Sequence, residues 1–120
     1  MMVLRISLMF VVVGIAYLSL TPSDTMIVGN DKLSHFIAYA VLMVNIGLLT
    51  YLNKKNFVIG IIASLLYGGI LEVIQDSIPG RYMSIYDMIA NAIGVFIGAI
   101  LIFFFYHRLV RLLKKAKIIR

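Results

Sequence analysis

Four residues of this chain have the type and the setting for proton transfer: Glu72, His35, Asp87 and Asp31. Glu72 stands inside an apolar run where no helix end calls for a carboxylate, which makes it a candidate general base or acid adjusted by burial and neighbours. Its structural alternative is an ion pair with Arg81 or Lys32. His35 alone would be a hydrogen-bonded interior residue, but with Asp31 to orient its ring and Glu72 as partner it becomes a candidate acid/base group. Asp87 has a second reading as well, because Ser84-x-x-Asp87 is close to a capping box and an acid in a first turn suits the helix dipole. Asp31 shares that reading as a cap.

Arg81 and Lys32 are candidate anion contacts, since a guanidinium matches phosphate bidentately and an ammonium acts as a point charge. Anchoring at the membrane surface is their plainer role. Gln75, Asn91 and Tyr39 are further candidate substrate contacts, although Gln75 and Asn91 could equally be interhelical hydrogen-bond glue, worth about 0.6 kcal/mol in membranes. A metal on His35, Glu72 and Asp87 is conceivable with oxygen-loving ions. No HExxH or comparable ligand spacing supports one, so no cofactor is implied. Two cations, an Asp/His pair and a buried Glu together fit a phosphate-bearing lipid headgroup.

The elements that must position these residues are dictated by composition. The chain has 120 residues, of which 62% are hydrophobic, against roughly 45–50% in soluble proteins. Its mean hydropathy is +1.04. A soluble domain of this size buries only about two-thirds of its surface, so lipid is the expected solvent. With no cysteine, disulfides and thiolate metal sites are excluded. The net charge of +6 would suggest nucleic acid in a soluble protein, but here the bases crowd at the ends of apolar segments, which suits topology and anionic lipid instead.

The sequence predicts a single all-α membrane domain over residues 1–120 with four transmembrane helices, at about 3–20, 31–52, 57–77 and 84–106, arranged as two helical hairpins. The first run is expected to remain as a span rather than a cleaved signal, because Ala16-Tyr-Leu-Ser-Leu offers no small-x-small cleavage site. Thr21-Pro22-Ser23-Asp24 breaks the first helix. Asn53-Lys54-Lys55-Asn56 reads as a polar turn, and Pro79-Gly80 as the centre of a type II turn. In the third helix Gly60, Ser64, Gly68 and Glu72 recur every four residues, a close-packing row that ends in a carboxylate. In the fourth, Asp87, Asn91, Gly94 and Gly98 share a stripe. Residues 107–120 read as a basic tail.

With four spans, the amino terminus, the Lys54 turn and the tail lie on one side, which receives nine of the eleven Lys and Arg residues. The positive-inside rule makes that side, with both termini, cytoplasmic. The other side receives Lys32, Arg81, His35 and all five acids. Glu72 would lie about 9 Å below the outer turn and should face the bundle interior. A weak parallel repeat, Asp31-x-x-x-His35 against Asp87-x-x-x-Asn91, suggests that these two pairs face each other across the bundle.

Asp31-Lys32-x-x-His35-x-x-x-Tyr39, Glu72-x-x-Gln75, Arg81 and Asp87-x-x-x-Asn91-x-x-Gly94 resemble the VanZ-like family of small bacterial membrane proteins, as does Leu18-Ser-Leu-Thr-Pro22. The resemblance covers about residues 15–98. It implies a multi-pass protein of the bacterial cell membrane, close to a minimal member of the family, with a link to lipoglycopeptide resistance of the teicoplanin type. Two functions are expected from the residues and the resemblance together. One is an enzyme in which Arg81 and Lys32 hold an amphiphilic or lipid-linked envelope molecule while Glu72, His35 and Asp87 move protons. The other is a binding protein that sequesters or shields an antibiotic or a wall precursor. Transport ranks third, since four spans are few without oligomerisation.

Overall fold

A computed structural model of the protein describes residues 2–20, 31–77 and 85–119, with Asp31 and Lys32 described in backbone only. Four helices make up the fold: α1 (Met2–Leu20), α2 (Asp31–Thr50), α3 (Lys54–Gln75) and α4 (Ile85–Lys115). Each is long and apolar enough to cross a membrane, and the described residues contain no strand. The bundle measures 44 × 25 × 21 Å. Its outer surface is apolar, with Phe10, Ile62, Phe96 and Phe104 all at least half exposed, as expected where hydrocarbon is the solvent. The protein is a multi-pass membrane protein.

Two boundaries differ by three residues or more from those the sequence predicts, and the others by no more than two. The Asn53–Asn56 stretch is not a free turn: Asn53 is extended (φ −111°, ψ 102°) and its side-chain oxygen accepts the Asn56 N–H at 3.2 Å, so it caps a helix that already begins at Lys54. At the other end, α4 runs through most of the predicted tail to Lys115. No residue between His107 and Lys115 breaks a helix, and Leu109, Val110 and Leu113 keep one side of it apolar against the core. The helix stops where Lys117 takes a left-handed conformation (φ 60°). There the Ile118 N–H bonds Leu113 O and the Lys117 N–H bonds Lys114 O, both at 3.0 Å, which is a Schellman closure. The reversal buries Ile119 in a cluster with Leu4, Leu48, Ile102 and Tyr106.

Packing centres on α2, which touches all three other helices and lies most extensively along α4. Small residues make that approach possible. The Gly94 and Gly98 faces sit directly on the α2 backbone at Phe36 and Ala40, which leaves no room for a side chain. On α3 the predicted row is the buried one: Gly60, Ser64, Gly68 and Glu72 all point inward, with Leu71 and Gln75. Ser64 satisfies its hydroxyl on Gly60 O at 2.8 Å, one turn back. A second core cluster, of Ile15, Tyr39, Leu42, Met43, Leu71, Val95 and Ala99, fills the other half of the bundle. α1 is the most exposed helix, and polar bonds tie it in: the Tyr67 hydroxyl donates to Val12 O, and Asn45 Nδ2 donates to Ser7 Oγ at 3.2 Å.

Candidate functional site

The up-and-down order of the helices brings the first turns of α2 and α4 to the same end of the bundle as the last turns of α1 and α3. That end collects the polar side chains. His35 is one turn into α2, Asp87 lies in the first turn of α4, and Glu72 is one turn from the end of α3.

The three side chains meet. One ligand-type atom from each of His35, Glu72 and Asp87 lies within 4.8 Å of the other two. All are buried, with exposures of 8% for His35, 1% for Glu72 and 6% for Asp87. Two carboxyl groups buried this close together in a membrane domain need compensation, by hydrogen bonds, a proton or a cation. An imidazole beside them can donate or accept a hydrogen bond. The arrangement can therefore store a proton, pass it to a bound molecule, or bind a cation.

Around this centre the polar neighbours hold fixed positions. His35 Nδ1 lies 2.9 Å from Asn91 Oδ1, joining α2 to α4. With the amide oxygen toward the ring, Nδ1 is the donor in this bond. The Asn91 amide nitrogen lies over Gly68 of α3, where the absent side chain makes room for it and for the Tyr39 ring. Gln75, 2% exposed, donates from Nε2 to Ser19 O at 2.7 Å and closes α3 onto the end of α1. Tyr39, 1% exposed, packs deeper, with its ring centroid 6.4 Å from that of Tyr67.

The structure thus brings together His35, Glu72, Asp87 and Asn91, and places Gln75 and Tyr39 in the packing beside and beneath them. Gln75 uses its amide nitrogen on a backbone carbonyl, which is the interhelical role the sequence left open for it. Arg81 and Ser84, together with the side chains of Asp31 and Lys32, lie outside the described residues, so their predicted parts in anion binding and capping stand as expectations. Sequence reasoning missed Ser19 and Tyr67. Ser19 contributes a backbone carbonyl, and Tyr67 reaches the Val12 carbonyl across 55 residues of chain. Bonds from a side chain to a distant carbonyl leave no trace in residue spacing.

Comparison with known proteins bears on this geometry in one way. No curated protein and no solved structure matches the chain. The family model described as VanZ/LLP1 matches residues 4–106, a span that runs from the first turn of α1 to the point where α4 turns basic and contains every residue of the buried cluster. The chain is a member of the VanZ/LLP1 family.

Proposed function

We propose that this protein acts on an amphiphilic or lipid-linked molecule of the bacterial cell envelope, in a polar pocket that opens to the extracytoplasmic face. The observation that carries the reading is the meeting of His35, Glu72 and Asp87 from three helices at one end of the bundle. A purely structural cluster has little need of three ionisable groups in a membrane domain, where each is costly to bury. In this reading Glu72 and His35 move protons at the bound headgroup, Asp87 holds the second carboxylate position, and Arg81 and Lys32 bind the anionic group. Resistance to teicoplanin-type antibiotics would be one consequence of altering such a molecule.

Comparing the lipids of a deletion strain with those of the complemented strain, alongside susceptibility to lipoglycopeptides, tests the reading. The expected result is a change in one phosphorylated envelope lipid, reversed by the wild-type chain. Identical lipids in the two strains would sink the enzymatic form.

One observation favours a non-catalytic alternative, in which the pocket shields an antibiotic or wall precursor. The Gln75 amide nitrogen is spent on Ser19, and Asn91 is held against His35, so part of the polar set already serves helix packing.

The extracytoplasmic placement rests on charge. The cluster lies at the end of the bundle opposite Arg5, Lys54, Lys55 and the basic end of α4, which the positive-inside rule puts in the cytoplasm. Reporter fusions should show the residues after Lys115 to be cytoplasmic and the 21–30 segment to be external. A tail reporter active only outside would invert the site.

A further inference from the structure

We infer that His35, Glu72 and Asp87 form a three-ligand site for a divalent transition ion, zinc or manganese. This rests on reading the cluster as the centre of the pocket, but it assigns Glu72 and His35 to an ion in place of direct proton transfer and is tested separately. The geometry is the first support. Tetrahedral coordination at about 2.0–2.2 Å sets ligand atoms roughly 3.4 Å apart. The three candidate atoms lie within 4.8 Å of one another. Closing the widest gap takes at most about 1.4 Å of adjustment, on the scale of side-chain rotations in Glu72 and Asp87.

Charge is the second support. Two carboxylates and a neutral imidazole carry −2 when ready to ligate, and a divalent ion makes the site neutral. Neutrality matters here because the ligands are nearly enclosed in a membrane domain, and buried charges are paired or coordinate metals.

The third support is independent of the carboxylates. Asn91 Oδ1 accepts from His35 Nδ1 at 2.9 Å. Metal-binding histidines are held in this way, with the second ring nitrogen donating to a fixed oxygen so that the ring is oriented and its tautomer set. Asn91 is itself buried and seated over Gly68, so the bond is built into the packing rather than made by a free surface group.

The ligand set also selects the ion. One imidazole nitrogen and two carboxylate oxygens suit zinc or manganese, whereas copper(I) and iron–sulfur clusters want thiolates, and the chain has no cysteine. Three protein ligands leave a coordination position open, as in catalytic rather than structural sites. A water molecule takes that position. The sequence makes this trio conceivable but gives no ligand spacing for it, because each ligand comes from a different helix.

The test uses the full chain, purified in detergent without a metal-affinity step and stripped with a chelator. Titration calorimetry with zinc, manganese and magnesium chlorides, together with elemental analysis of the unstripped protein, reads affinity and stoichiometry. One zinc or manganese ion per chain is expected, with magnesium much weaker. E72Q and D87N should abolish stoichiometric binding. Asn91→Ala, which removes no ligand, should weaken it by about 10–100-fold. His107→Ala, an exposed histidine at the far end, should leave it unchanged. Circular dichroism and a single elution peak confirm that each variant is folded. The inference is overturned if no ion binds at micromolar concentration, or if binding survives E72Q and D87N together. In either case a lipid change in the deletion strain that the wild-type chain reverses leaves the proposed function standing without the metal. Stoichiometric metal with no lipid or susceptibility phenotype supports the site and removes that function.

Discussion

Glu72→Gln is expected to remove the activity and leave the protein folded. Glutamine keeps the shape of the side chain and can still donate and accept hydrogen bonds, so a group only 1% exposed loses little packing. It cannot take up or release a proton at physiological pH. If Glu72 is the acid or base, turnover should fall about 10²–10⁴-fold, the usual contribution of such a group. Affinity for the lipid-linked ligand should stay within a few fold, because anion contacts are assigned to Arg81 and Lys32. A shielding protein behaves differently: E72Q would keep both affinity and the susceptibility phenotype. The two readings therefore separate on one substitution, scored by lipid product and by ligand retention in the same strain. His35→Ala strengthens the experiment, since it removes both the imidazole and the bond to Asn91. If E72Q and His35→Ala each leave lipid product and susceptibility at wild-type values, the cluster is structural and the pocket does no work.

The presence and order of the four helices were legible because a membrane domain writes its interior and exterior in the same apolar code, interrupted only where water or a partner is met. The Gly60-Ser64-Gly68-Glu72 row could be read because small residues every four positions put one face of α3 against a neighbour, and that face is the buried one. The juxtaposition of His35 and Asn91 followed from their matching positions, four residues after Asp31 and Asp87, at the starts of α2 and α4. The end of α4 was not legible. Arg108 and Arg111 signal water, and water does not end a helix. The real stop uses Lys117 at a position where glycine would have announced it. The Asn53 cap was misread for a related reason, since asparagine favours turns and caps alike. The convergence of three ionisable groups was legible only as a shared end of the bundle. Distances among residues 35, 72 and 87 depend on helix rotation, which spacing alone does not set.

The rotation itself is fixed where α2 and α4 touch, and this gives a second large expected effect. Gly94→Ala should destabilise the bundle by about 1–3 kcal/mol and impair the site while touching no ionisable group. A methyl at Gly94 would be driven into the Phe36 carbonyl oxygen, with Ala40 N only 3.1 Å away. Gly98 faces the same surface one turn on, where an added Cβ would lie 2.7 Å from Ala40 O and 2.8 Å from Met43 Cβ. Backbone atoms cannot rotate aside, so α4 must move off α2. Asn91 stands three residues before Gly94 on the same face, and a shift of about 1 Å stretches its 2.9 Å contact with His35 beyond hydrogen-bonding range. The other glycines provide graded controls. At Gly47 the obstacle is the Ile102 side chain, which can adjust more readily than a backbone carbonyl. At Gly69 nothing lies within 4 Å of an added Cβ. Gly69→Ala should therefore be neutral or stabilising by up to about 1 kcal/mol through helix propensity. Denaturation midpoints in detergent for Gly94→Ala, Gly98→Ala, Gly47→Ala and Gly69→Ala should fall in that order, lowest first for the α4 pair. Equal midpoints for Gly94→Ala and Gly69→Ala would show that the α2–α4 approach is looser than these distances, and that some other contact holds His35 against Asn91.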